Sequence, residues 1–436
     1  MKLEKKIFSA RRKELMGTLG EGAILVLPSA AEKVRNADCE YPFRQSSDFW
    51  YLTGFGEPEA VLVLVPGREE GEAVLFNRRR DRDREIWNGR RVGQEGAVNT
   101  FGFDQAFPIE ELDQLLPELL NGRERLFYTP GQDKAFDEQM WGWLARLRNA
   151  ERRGKTAPDS IEDRDSLIHA RRQIKSVEEI ALMREAGTIS TRAHIRAMTE
   201  CRPRVMEYQL EAAILHEFAM SGARHPAYST IVGGGENGCI LHYTENDCEL
   251  KDGDLVLIDA GCELDHYAAD ITRTFPVNGH FSPEQKALYE LVLMAQEAAF
   301  AEIAPGKPWD GFHKAAVAVL VEGLIKLGLL KGERDQLIED EAYSPFYMHG
   351  TGHWLGMDVH DVGIHKQQGQ PVLFTPGMVL TVEPGLYIAP DNTEVEERWR
   401  GIGIRIEDNV LVTDDGCENL TAAAPKTVAD IEALMA

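Results

Sequence analysis

The six cysteines, Cys39, Cys201, Cys239, Cys248, Cys262 and Cys417, form no CxxC or CxxxC pair. Scatter of that kind in a chain of 436 residues argues against a disulfide framework and against a zinc ribbon. Isolated thiols fit a reducing compartment, so a cytoplasmic protein is expected. Also missing is any run approaching the roughly 20 apolar residues that a membrane helix needs. Behind Met1-Lys2-Leu3-Glu4-Lys5-Lys6 there is no apolar stretch of the kind a signal peptide carries. No membrane partner is expected. Basic charge is in short supply: 48 Lys and Arg against 72 Asp and Glu give a formal net charge of -24. Such a chain repels phosphate backbones, and no nucleic-acid partner is expected. The arginine-rich stretch Arg78-Arg79-Arg80-Asp81-Arg82-Asp83-Arg84 is interleaved with acids and followed by Glu85, so it reads as a solvated or intersubunit salt-bridge surface.

With 43% hydrophobic and 28% charged residues, what is present reads as globular. At about 100–200 residues per domain the length predicts two or three domains. Residues 23–27 and 60–65 are apolar runs bounded by Gly and Pro, as buried strands would be, and 73–76 and 126–128 are shorter runs of the same kind. Helix-like stretches at 109–120 and 136–147 complete an N-terminal α/β domain, expected over residues 1–172. Residues 146–171, crowded with charge and holding Gly154, Pro158 and Asp159, read as the connection. Ser176-Val177-Glu178-Glu179 is a capping box that starts a helix. Beyond it, helical periodicity at 206–220, 283–301 and 309–327 alternates with strand-like runs at 255–260, 267–276, 378–383 and 402–412. Helices gathered on a largely antiparallel sheet predict an α+β domain over residues 173–436.

Chemistry concentrates in that second domain. Asp259 ends the apolar run 254–259, where an unpaired carboxylate is costly to bury. Asp270 lies eleven residues on. A hairpin centred on Leu264-Asp265 would set 259 opposite 270, with Cβ atoms about 4.5–5.5 Å apart. His349, His353 and His360 fall within twelve residues among glycines, in Met348-His349-Gly350-Thr351-Gly352-His353-Trp354-Leu355-Gly356 and on to Asp361. Glu383 closes a β-branched run at Pro384-Gly385. Along 402–407 three isoleucines alternate with Gly403, Arg405 and Glu407, so a strand sets Arg405 and Glu407 on one face. Like charges about 4 Å apart repel by roughly 4 kcal/mol per pair at an effective dielectric near 20. Two divalent cations would turn that repulsion into coordination. A ligand set of oxygens with a single nitrogen favours an ion such as Mn²⁺, and metal-assisted hydrolysis is the reaction class expected.

The order Asp259, Asp270, His353, Glu383, Glu407 resembles that of the pita-bread metallopeptidases, which include methionine aminopeptidase, prolidase and aminopeptidase P. The two-domain length is similar to aminopeptidase P of the bacterial type. So are Phe43-Arg44-Gln45-Ser46-Ser47-Asp48-Phe49-Trp50-Tyr51-Leu52-Thr53-Gly54 and the run from Gly352 to Asp361. The resemblance covers nearly the whole chain, with no departure at the five ligand positions. It implies a C-terminal pita-bread catalytic domain with a smaller N-terminal domain, and an enzyme that removes an N-terminal residue when proline comes after it.

By the same resemblance, Asp259 would ligate one ion, His353 and Glu383 the other, and Asp270 and Glu407 would bridge them. A hydroxide shared by the two ions would attack the scissile carbonyl, with Glu383 handling its proton. His242, His349, His360 and Arg405 match positions that contact substrate, stabilise the tetrahedral intermediate or orient ligands. Tyr228 and Tyr387 either line the substrate pocket or simply pack. The family's N-terminal domain helps build oligomers, so a dimer or tetramer is implied, with Trp87 a residue that could reach a neighbour. Two alternatives share the fold: a prolidase that cuts Xaa-Pro dipeptides, and a noncatalytic peptide-binding module. A creatinase-like enzyme, which needs no metal, is opposed by the complete ligand set.

Overall fold

The computed structural model describes residues 3–436, which divide into two compact units, Leu3–Arg172 and Gln173–Ala436. The first is built on a six-stranded mixed sheet. Its spatial order is Gln105–Pro108, Ala73–Asn77, Val61–Leu64, Ala23–Pro28, Arg125–Phe127 and Ser160–Glu162. Ile24, Val26, Val63, Val74 and Leu126 are fully buried, which accounts for the unbroken apolar runs seen in these strands. Burial of each such side chain stabilises the unit by about 1.5–3 kcal/mol. The helices Leu112–Leu120 and Lys134–Asn149 supply Leu116, Leu120, Met140, Trp143 and Leu144 to the same core. Asp133 caps the second helix by accepting from the backbone N–H groups of Ala135 and Phe136. The charged stretch 146–171 is more than a connection. It contains the strand Ser160–Glu162, paired in parallel with Arg125–Phe127, and the start of the helix Asp165–Gln173. A three-residue edge strand with half-exposed side chains leaves no apolar run to read.

In the second unit the helices Val177–Glu200, Glu207–Met220, Pro283–Phe300 and Gly311–Lys326 flank small antiparallel sheets. The capping box is present: Glu179 donates its N–H to Ser176 Oγ while its carboxylate accepts from the Ser176 N–H. Three strands, Ile231–Gly234, Leu255–Asp259 and Thr272–Pro276, form one sheet. Val379–Val382, Asp408–Val412 and Cys417–Asn419 form another, and Gly385–Ile388 pairs with Ile402–Arg405 in a third.

Two of the strand-like runs are interrupted, and both interruptions hold carboxylates. The run 402–412 breaks at Ile406-Glu407, where the chain leaves one sheet for the next. The run 267–276 breaks at 269–271. There the Asn409 side chain accepts from the Asp270 N–H and donates to the Asp270 carbonyl, taking the place of a ladder partner. The hairpin register also differs from the expected one. Its turn is Asp265-His266, both at positive φ (49° and 71°), and Asp259 pairs with Thr272 rather than Asp270. Moving the turn by one residue moves the partner by two, so the side-chain parity that faces Asp270 toward Asp259 is retained.

All six cysteines are free thiols. No helix among the described residues is long and apolar enough to cross a membrane.

Candidate metal centre

Five chain segments converge on a cavity of 530 Å³ in the second unit. Asp259 reaches it from the end of its strand, Asp270 from the interrupted strand beside it, and Glu407 from the sheet switch. Backbone contact fixes Glu407, whose N–H donates to the Thr272 carbonyl at 3.0 Å. The glycine-rich loop arrives by strand-like pairing. Thr381 N–H donates to the His353 carbonyl and Glu383 N–H to the Thr351 carbonyl, at 2.9 and 2.8 Å. A Cβ on Gly352 would lie 2.0 Å from the Thr381 carbonyl oxygen, so only glycine admits this approach. That pairing sets His353 and Glu383 side by side.

The candidate ligating atoms are close. Asp270, His353 and Glu407 offer atoms all within 4.8 Å of one another. His353 Nε2 lies 3.4 Å from Asp270 and 3.5 Å from Glu383. Its Nδ1–H donates to the Trp354 carbonyl at 3.0 Å, which leaves Nε2 to face the carboxylates. The Tyr228 hydroxyl stands 2.6 Å from Asp259 and 2.5 Å from Asp270. Holding a single proton, it serves one of the two at a time.

Charge in this site does not balance. Asp259, Asp270 and Glu407 are buried, and the guanidinium present is Arg405, 2.6 Å from Asp259. Burial disfavours ionised Asp259, but the charge of Arg405 and the Tyr228 hydrogen bond outweigh it and hold its pKa low. Burial pushes Asp270 up, aided by the charge of Asp259. It pushes Glu383 up to about 7. Glu407 is raised well above the usual range by burial and then by repulsion from Asp270 and Glu383. Burial opposes a charge on His353, yet the hydrogen bond to Asp270 and the charge of Glu383 raise it to about 9. With His353 neutral, as a metal ligand must be, and all four carboxylates ionised, the carboxylates and the one guanidinium would sum to -3. Two divalent cations supply +4, and the donors are oxygens with one imidazole nitrogen, so the residues fit a pair of hard or borderline ions.

A directed hydrogen-bond chain runs behind the site. Arg405 Nη1 donates to the Tyr387 hydroxyl at 3.0 Å, and that hydroxyl lies 2.8 Å from His349 Nε2. His349 Nδ1 faces the Gly350 carbonyl at 2.7 Å. A carbonyl only accepts, so Nδ1 carries the proton and Nε2 accepts from Tyr387. Removal from water and the nearby Arg405 charge lower His349 to about 4, consistent with that neutral tautomer. His242, His349, His360, Arg405 and Tyr228 all line the cavity, and the His360 ring sits 4.2 Å from that of His353. Tyr387 does not: it is buried behind His349. Ile231, Leu241 and Val359 form an apolar part of the wall that the motifs did not single out. Thr272 was missed as well. It accepts from Arg405 Nε at 3.2 Å and donates to Glu407 at 2.7 Å. Its one sequence signal is position, two residues after Asp270.

A buried, oxygen-rich centre carried at the switches between small antiparallel sheets, with helices around them, defines a metal-dependent hydrolase of the pita-bread class. Residues 181–414 match metallopeptidase family M24, and residues 8–128 match the N-terminal domain of aminopeptidase P. The Xaa-Pro aminopeptidase of Escherichia coli K12 is 51% identical over 434 residues, covering 99% of this chain and 98% of that protein. Among solved structures, the aminopeptidase PepP of Pseudomonas aeruginosa has a TM-score of 0.99 at 55% identity, covering 100% of this chain and 98% of that one. Zinc-substituted E. coli aminopeptidase P in complex with product has a TM-score of 0.97 at 51% identity, covering 100% and 99%. The chain belongs to metallopeptidase family M24, in its aminopeptidase P branch.

Proposed function

We propose that this chain removes the N-terminal residue from peptides whose second residue is proline, using two divalent ions held by Asp259, Asp270, His353, Glu383 and Glu407. The observation that carries this reading is the uncompensated charge of the centre: four carboxylates meet around one guanidinium, with Glu407 and Asp270 both raised. Bound there, the ions would supply a nucleophile from water near neutral pH and polarise the scissile carbonyl. Asp270 and Glu407, whose ligand atoms lie within 4.8 Å of each other and of His353, would hold the ions together with Asp259, His353 and Glu383. Glu383 accepts the proton of the attacking water. His242 and His360, on the cavity wall, contact the substrate. Arg405 holds Asp259 in place, and with Tyr387 it fixes the ring of His349.

Manganese is the ion that suits this donor set. The free thiols support a cytoplasmic setting. A homo-oligomer is supported by the helix Arg82–Asn88, which buries none of its residues and leaves Trp87 86% exposed. The test is to strip the protein with chelator, restore Mn²⁺, Co²⁺ or Zn²⁺ separately, and compare Xaa-Pro-Xaa tripeptides with Xaa-Pro dipeptides. Restored cleavage of tripeptides is expected, fastest with Mn²⁺. A strong preference for dipeptides would replace the reading with a prolidase, and binding without cleavage would replace it with a peptide-binding module.

A further inference from the structure

Glu383 directly follows the strand Val379–Val382, and Glu407 lies in the two-residue break between the strands Ile402–Arg405 and Asp408–Val412. Their separation therefore depends on how the two backbones are held at Val382 and Ile406. Gln296, on the helix Pro283–Phe300 and fully buried, reaches that gap. Its Nε2 donates to the Val382 carbonyl at 3.1 Å and to the Ile406 carbonyl at 3.1 Å. Both protons of the amide are thus used, one on each ligand-bearing strand. The amide's orientation is set by chemistry: Lys426 Nζ donates to Gln296 Oε1 at 2.8 Å, and a flip would set oxygen against two carbonyls and NH₂ against an ammonium.

Lys426 is itself held. It donates to Asp408 at 2.8 Å, Asp408 accepts from Arg273 at 2.7 Å, and Arg273 donates to the carbonyls of Glu407 and Thr272 at 2.6 and 2.9 Å. Each carbonyl bonded by Gln296 directly precedes a carboxylate of the centre, and Arg273 holds the carbonyl of one of those carboxylate residues. A polar side chain on the buried face of a helix is costly unless its polar atoms find partners; here both amide protons and the oxygen do.

We infer that Gln296 is a positioning residue: it sets the separation of Glu383 and Glu407, and through it the uptake of the second metal ion. The inference rests on the two-ion reading of the centre. Partners that orient ligands from behind commonly change metal affinity by about 10–100-fold when removed.

The test is Mn²⁺ binding to the chelator-stripped full chain, followed by calorimetric titration and by electron paramagnetic resonance of the bound ions. Parent, Gln296→Glu and Gln296→Met are compared. Gln296→Glu keeps length and the lysine contact but sets an oxygen against both carbonyls. Gln296→Met keeps volume and removes both donors. In each variant the second equivalent of Mn²⁺ is expected to bind about 10–100-fold more weakly, and the exchange-coupled signal of a paired centre should give way to that of single ions. Two equivalents bound at parental affinity, with the coupled signal intact, overturn the inference even if melting temperature falls, because packing alone would then explain the residue. If Gln296→Met does not fold, Gln296→Glu decides by the same readout. A parent chain that takes up no pair of ions sinks the metal reading instead, so the two failures are distinguishable.

Discussion

In the N-terminal unit Asp48, Asp165 and His169 bring ligating atoms within 4.8 Å of one another, as Asp270, His353 and Glu407 do in the catalytic unit. The first group carries its own cations. Arg172 meets Asp48 at 2.7 Å and His169 meets it at 3.1 Å. Burial resists ionisation of Asp48, but the His169 hydrogen bond and the Arg172 charge prevail, and its pKa falls. In the catalytic unit the carboxylates outnumber the cations, and Glu407 is raised instead. The contrast recurs within two adjacent residues. Asp408, next to Glu407 and equally buried, accepts from Arg273 and Lys426 and is held low against the cost of burial. Metal-ligand spacing is therefore shared by these two clusters, and the balance of charge is what distinguishes one from the other.

Removing a ligand from the deficient cluster should have the largest effect. Asp270→Ala is expected to lower kcat/KM on Xaa-Pro-Xaa peptides by about 10³-fold or more after Mn²⁺ reconstitution, a loss above about 4 kcal/mol in transition-state stabilisation. Activity that survived would break the division between the clusters. In the compensated cluster the same kind of change should cost stability. Asp48→Ala removes the carboxylate that accepts from Arg172 and pairs with His169, for an expected loss of about 1–3 kcal/mol in denaturant unfolding. Uptake of two Mn²⁺ should stay as in the parent, and altered stoichiometry would mean the cluster is not merely structural.

Tyr228→Phe sharpens the distinction from the other side, since the hydroxyl is an outer partner to two ligands. Mn²⁺ affinity measured by calorimetry should fall about 10–100-fold, and an unchanged isotherm would show the contact to be incidental. The smallest effect is on pH dependence. Burial opposes a charge on His169, but its hydrogen bond and charge pairing with Asp48 raise its pKa above the usual 6.5. A raised folded-state value stabilises fully below the unfolded value and is lost as pH rises through the folded one. Stability of the parent should therefore decline by less than about 1 kcal/mol as pH rises above 6.5. His169→Gln should remove that slope in melting curves, and a slope that persists would assign it to another group.

Much of the centre was legible in the residues. An acid at the end of an apolar run is a signal because burying it uncompensated is unfavourable, and Asp259 and Glu383 carry it. Glu407 shows instead by sharing a face with Arg405 along the alternating isoleucines. Glycines beside His349 and His353 mark backbone approach, and Gly352 meets Thr381 as that requires. What stayed hidden depends on neighbours distant in the chain. The side chain of Asn409 takes a strand's place beside Asp270, which no local propensity encodes. Gln296 falls at helical spacing with Val292 and Ala299, a polar residue on an apolar face, but its partners lie 86 and 110 residues away. For Tyr387 the sequence leaves pocket lining and packing open, and the fold sets it behind His349.

By itself the sequence determined the two-part organisation, the principal helices with the Ser176 cap, and the candidate ligands with their order along the chain, because periodicity, capping and the cost of an isolated buried charge act locally. The tertiary structure decided the hairpin register, the two strand breaks that free Asp270 and Glu407, and which acids are balanced by cations. Each of those depends on which groups meet across the fold, and a carboxylate's charge is compensated in space rather than along the chain.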